Sequence, residues 1–203
     1  MSKKYCLTDE TMVVDGTHVL HRIKALVDIR RHMVTAGQKG GWIETEKNLS
    51  QEGTCWIDGD AKVYGNAKVL EDALISENAE VKGGAVVFGR AMVYDKAVVK
   101  DEAWIWSDAR IRDTAVVAGE AKVCGQAQIA GQAQVYGKAE VKGESRLFVN
   151  VKVYGSAKVQ DKAWVFGDAE IYDFAVIKDE ARVYGQTKIG DNTILGGKAR
   201  IND

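Results

Sequence analysis

The chain has 203 residues, with 28 Lys and Arg against 29 Asp and Glu, a net charge of −1, no proline, three cysteines and three histidines. A charge this close to zero excludes bulk electrostatic attraction to nucleic acid, and the wide spacing of Cys6, Cys55 and Cys124 excludes a disulfide framework or a paired-cysteine metal site. Met1-Ser2-Lys3-Lys4 runs straight into a mixed polar stretch with no apolar signal segment, so the expectation is a cytoplasmic protein that does not associate with membranes.

Residues 1–56 share no simple period and read as an N-terminal β cap. Thr11-Met12-Val13-Val14 and Val19-Leu20-His21-Arg22-Ile23 flank Asp15-Gly16-Thr17, a hairpin turn between two β-rich runs. A glycine-containing loop follows, Thr35-Ala36-Gly37-Gln38-Lys39-Gly40-Gly41, with His32 just before it. Trp42 and Trp56 then bracket a lead-in containing Asn48-Leu49-Ser50, and their expected role is to cover the first coil of what comes next.

From Ile57 to Ile201, a second region of residues 57–203, every sixth residue is Val, Ile or Leu, twenty-five positions without an insertion or a miss. Four residues after each stands a small residue, Ala in twenty of twenty-four cases, with Ser145, Val151, Thr187 and Thr193 the exceptions. A period of six fits neither a helix nor plain alternation, so each unit must join a short strand to a fixed turn. In Ala-x-Val the small and the aliphatic residue are two apart and face one interior, while the residues flanking the aliphatic one face out. The turn needs backbone freedom, and the position two after the aliphatic residue is Gly in thirteen units, Asp in seven, Glu at Glu71 and Glu77, and Ser at Ser107. Val149 alone breaks this chemistry. The absence of proline suits a continuous ladder in which nearly every N–H finds a partner on the next coil.

This aliphatic-x-x-x-Ala-x unit resembles the hexapeptide-repeat superfamily, whose fold is a left-handed parallel β-helix. The resemblance implies three hexads per triangular coil, hence about eight coils and a prism roughly 38 Å tall; the left hand rests on the resemblance alone, since parallel crossovers are otherwise right-handed. One departure is visible. The superfamily usually places Gly directly after the aliphatic residue, as in Ile189-Gly190, whereas most units here read like Val63-Tyr64-Gly65. The lead-in, with Gly40-Gly41-Trp42, Asn48-Leu49-Ser50 and Trp56, is similar to that of uncharacterised YdcK-like bacterial proteins and their prophage relatives. That likeness says little about function.

Enzymes of the superfamily are mostly trimeric acyltransferases that hold acyl-CoA between neighbouring prisms and use a histidine base from a coil, or zinc enzymes with three histidines at the subunit interface. Here His18, His21 and His32 all lie in the cap. The catalytic residues therefore do not carry over, and neither a metal nor another cofactor is expected. If the protein is an acyltransferase after all, with acetyl-CoA as cofactor, His32 is the candidate base. The acidic residues of the corners, Asp60, Asp72, Asp95, Asp101, Asp108 and Asp113, are expected to cap turns and keep the surface soluble.

Sorting residues by an 18-residue coil separates three outer faces. One carries Arg110, Arg112, Arg146, Phe148, Trp164, Phe166, Arg182, Tyr184 and Arg200, five of the six repeat-region arginines interleaved with aromatic rings. That mixture belongs to interfaces, where cation–π contacts and bidentate hydrogen bonds dominate, and binding is the preferred reading over mere stacking of the aromatic column between successive coils. A second face clusters Leu70, Val86, Phe88, Trp104 and Trp106, a patch expected to form a subunit interface, the alternative being that it receives the N-terminal unit. The third bears Tyr136, Tyr154 and Tyr172 beside Lys82, Lys100, Lys152 and Lys188. The reading that follows is a non-catalytic binding or scaffold protein, homo-oligomeric as a dimer or trimer. Its partner is a protein, with nucleic acid on the arginine face as the other option; by the prophage likeness that protein is a host component such as a defence complex. The alternatives are an acyl-CoA-dependent acyltransferase and a structural fibre module, the latter favoured by an exposed ladder edge on the last coil.

Overall fold

The structure, a computed structural model, describes residues 3–202. Apart from one 3₁₀ turn at Arg30–His32, its regular elements are strands. Each hexad supplies a short strand, two residues long in most units, such as Lys62–Val63, Lys68–Val69 and Leu74–Ile75, and four residues long at Arg146–Val149 and Trp164–Gly167. The reason lies in the turns: all 24 positions two after an aliphatic residue, from Gly59 to Gly197, have φ between 54° and 79°. A left-handed residue every sixth position ends each strand and swings the chain through a corner.

Most of the acidic residues at these corners hold a hydrogen bond there. Carboxylates there reach along the stack to the turn N–H one coil later: Asp101 accepts from Gly119 N–H at 3.0 Å, Asp113 from Gly131 N–H at 2.7 Å, and Asp179 from Gly197 N–H at 2.8 Å. Asp tolerates the left-handed conformation better than most side chains and satisfies a backbone donor at once. Of the acidic corner residues expected to cap turns, Asp95, Asp101 and Asp113 do so in this way, whereas Asp60 and Asp108 accept from Arg22 and Arg90 and Asp72 accepts from Thr54.

Successive coils pair in parallel with a register of eighteen residues, for example Val99 with Val117 and Val117 with Val135. Three sheets result, built around Ile57, Val63 and Val69, here termed the arginine, tyrosine and tryptophan faces. The aliphatic and Ala positions of the middle coils are fully buried, forming a single apolar column down the axis. Ser145 stands in that column at an Ala position, with its hydroxyl buried and unpartnered.

The ladder reaches back into the lead-in, and about nine coils stack rather than eight. Strand β3 (Lys39–Ile43) pairs in parallel with Lys62–Val63, and Leu49 bridges Val69, so Ile43, Leu49 and Ile57 form one further rung. The hexad rule hides it because Leu49 and Ile57 are eight residues apart. Close packing explains the local sequence. A Cβ on Gly41 would lie 2.4 Å from Ile57 Cγ2, and Asn48, buried, closes the corner through its side-chain amide to the carbonyls of Gly65 and Ala67.

Before this rung, β1 (Tyr5–Val14) and β2 (His18–Ala25) form the expected antiparallel hairpin, and β2 pairs with β3, so the hairpin continues the tyrosine-face sheet. The hairpin and the segment before it satisfy carbonyls that the first rung leaves open. Tyr5 hydroxyl donates to Leu49 O at 2.7 Å, and the buried Lys4 ammonium donates to Cys55 O at 2.9 Å.

Candidate functional site

On the arginine face the parallel register stacks Arg146, Trp164 and Arg182 in consecutive rungs. Their side chains form a cation–ring–cation sandwich: the guanidinium carbons of Arg146 and Arg182 lie 4.8 and 4.9 Å from the Trp164 ring centre. The column beside it stacks Phe148, Phe166 and Tyr184, with ring centres 6.2 and 5.3 Å apart in edge-on geometry. Arg112 reaches across the rung of Ala130 to within 5.9 Å of the Phe148 ring. Aromatic stacking and arginine exposure therefore coexist on this face.

Arg146 and Arg182 are held by a ring rather than by carboxylates. Among the described residues only Arg112, of the five on this face, has an acidic partner within salt-bridge distance, Asp113 at 3.8 Å. Arg146, Trp164 and Arg182 line a hollow of about 220 Å³ whose rim carries Glu144, Lys162 and Glu180. The rim is thus of mixed sign, and the guanidinium donors face solvent with their hydrogen-bonding capacity largely unused. Arg110 is set apart by the Gln128 rung, and Arg200 extends the column from Arg182 to the last rung.

The tryptophan-face patch is also assembled. The Phe88 ring stacks on Trp106 at 5.8 Å and meets Trp104 edge-on at 6.1 Å, with Val86 paired to Trp104 along the ladder. The N-terminal hairpin does not cover it, and Trp104 remains 46% exposed. The hairpin tip goes instead to the neighbouring face, where Tyr64 hydroxyl donates to Asp15 at 3.0 Å and Lys82 approaches the same carboxylate at 3.4 Å.

That tip contact is part of a polar network that the sequence gives no sign of, because its members lie tens of residues apart. His18 Nδ1 sits 3.0 Å from Glu44, whose other oxygen accepts from Gly65 N–H at 2.7 Å. Arg22 donates to Asp60 at 2.9 Å while stacking on Trp42. The hydrogen bond from Tyr64, and then Lys82, holds the Asp15 carboxyl below its usual range, and Arg22 does the same to Asp60. Burial opposes ionisation of Glu44, but the bonds from His18 and Gly65 outweigh it and its pKa also falls. Burial, reinforced by Asp15, pushes the Tyr64 phenol up to about 12. A cleft of about 690 Å³ lies beside this network, between the hairpin and the first coils, with His18, Glu44, Asn48 and Glu102 on its walls.

His32 stands apart from these features, on the 3₁₀ turn of the cap. Burial and the adjacent Arg31 lower its pKa, and its buried Nε2 has no hydrogen-bond partner among the described residues. It lines neither the cleft nor the arginine-face hollow. Among the described residues no three His, Cys, Asp or Glu side chains gather as a metal site, and no helix is long and apolar enough to cross a membrane. The sequence matches no protein-family model and shows no significant similarity to a curated protein.

Proposed function

We propose that the chain is a left-handed β-helix of the hexapeptide-repeat type, related to the YdcK-like proteins, and that it works as a non-catalytic scaffold whose arginine face docks on a protein. The observation that carries this reading is the Arg146–Trp164–Arg182 sandwich. Two guanidinium groups are pre-oriented by one indole, without a carboxylate partner among the described residues. Arg and Trp in such a setting are the side chains that dominate protein interfaces. Glu144 and Glu180 on the same rim, and the net charge of −1, favour a protein of mixed surface charge over a polyanion. By the prophage likeness of its lead-in, the partner is a host protein.

The test is to replace Arg110, Arg146 and Arg182 together by Ala and compare the variant with the parent in affinity capture from host lysate, after showing that both melt alike. A protein held by the parent and lost by the triple variant supports the reading; equal retention by both overturns it. Titration with acetyl-CoA is run alongside. Saturable micromolar binding there would move the assignment to the acyltransferase class.

A further inference from the structure

The outer column of the tyrosine face that follows the aliphatic residues reads Tyr64, Lys82, Lys100, Ala118, Tyr136, Tyr154 and Tyr172 in successive rungs. Its two ends are filled. Tyr136, Tyr154 and Tyr172 stack almost parallel, with ring centres 5.0 and 5.4 Å apart, and the Lys82 ammonium sits 5.4 Å from the Tyr64 ring centre. The middle is not. Ala118, small and only 8% exposed, supplies no ring, and a notch of about 420 Å³ lies there, lined by Lys100, Asp101, Val116, Ala118, Gln134 and Tyr136.

We propose that this notch binds a single flat aromatic ring with an N–H or O–H on its rim, of the indole or phenol class. With rungs about 4.8 Å apart, Tyr136 and Lys100 start about 9.6 Å from each other, room for one ring midway. The ring extends the tyrosine stack on one side and takes a cation–π contact from Lys100 on the other, as Tyr64 does from Lys82 within the same column. On the neighbouring face the equivalent gap at Ala130 is bridged from within, since Arg112 reaches Phe148. Among the described residues no cation–ring contact spans Ala118, and Lys100 has no carboxylate within salt-bridge distance. Asp101 gives one oxygen to Gly119 N–H and keeps the other as an acceptor for the ligand's donor. A saturated group of the same size forfeits the stacking and the cation–π contact.

The site lies on a different face from Arg146 and Trp164, so its test is independent of the scaffold reading. Indole is titrated into the full chain and followed by ligand-observed NMR and calorimetry, with cyclohexylmethanol as the non-aromatic control. Saturable indole binding with a dissociation constant of about 1 mM or a few-fold weaker is expected, and none for the control. Ala118→Tyr should complete the stack, keep the parent's circular dichroism and abolish binding; Tyr136→Ala should abolish it by removing the platform. Lys100→Ala should weaken it about two- to five-fold. No saturation by indole, or undiminished affinity in both Ala118→Tyr and Tyr136→Ala, overturns the proposal. N-acetyl-tryptophanamide distinguishes the source of the ring: affinity about tenfold above indole's assigns the notch to a protein side chain, and equal or lower affinity to a free small aromatic.

Discussion

Ser145→Ala offers a sharp test of how dry and close-packed the solenoid interior is. Ser145 sits fully buried at a position that is Ala in the coils on either side, Ala127 and Ala163, and its hydroxyl has no hydrogen-bond partner among the described residues. A desolvated, unpaired hydroxyl costs about 1–3 kcal/mol. Removing it vacates less than the volume of a methyl group, which takes back a few tenths of a kcal/mol at most by the usual ~24 cal/mol per Å³. The net gain is therefore about 1–2 kcal/mol, and for a chain of this length each kcal/mol raises Tm by about 2–4 °C, giving a rise of about 2–8 °C. Scanning calorimetry of the variant beside the parent measures it, with Ala127→Ser as the mirror change expected to lower Tm by a similar amount. A Ser145→Ala protein that melts at or below the parent's temperature would refute the reasoning, because the hydroxyl would then have to be paired in solution.

The other expectations concern the axis and the cap. Val117→Asp places a carboxylate between Val99 and Val135 with no partner in reach, a cost of several kcal/mol against a total stability of about 5–15 kcal/mol. Loss of β circular dichroism at 25 °C is expected, and an unchanged melt would sink the stacked apolar interior. Asp15, Glu44 and Asp60, which tie the hairpin to the coils, all have folded pKa values below their ordinary 3.8, 4.5 and 3.8. They stabilise the folded state above those values, and the contribution disappears as pH falls through the lower folded ones. Glu77, on the coils, has its pKa raised by its hydrogen bond with Asp95, so its effect has the opposite sign: it stabilises below 4.5 and is lost as pH rises through its folded value. Acidification below about pH 4 should therefore release the hairpin before the coils, read as faster hydrogen exchange in residues 5–25 than in 57–189; simultaneous release of both would count against these ties.

The coils were legible in the sequence because a β-solenoid is a local code repeated. The aliphatic residue every six, the small residue two before it and the Gly, Asp or Glu two after it each act within one hexad, and the observed turn geometry follows them position by position. Even Val149, the one residue with the wrong turn chemistry, is forced to φ 79° by the coils stacked on either side. The eighteen-residue register also makes the three outer faces readable, so the arginine column and the tryptophan patch assemble from residues that the sequence already groups.

Only the tertiary structure decided what happens where the period fails. The extra rung of Ile43, Leu49 and Ile57 is hidden by a two-residue excess, and it exists because β3 finds a parallel partner in Lys62–Val63. The hairpin's path is set by pairings across long stretches of chain, Asp15 with Tyr64 and Arg22 with Asp60, which leave no periodic trace. Which surface side chains are engaged was likewise settled in three dimensions. Arg112 and Lys100 occupy equivalent places beside an alanine gap, yet one spans it to a ring while the other leaves a notch, a difference of side-chain reach and neighbouring rings. The sequence by itself fixes a stack of coils, because backbone turns and ladder bonds are local and repeat; the cap and the unfilled places on the surface depend on contacts between residues with no fixed spacing, and those only the folded chain supplies.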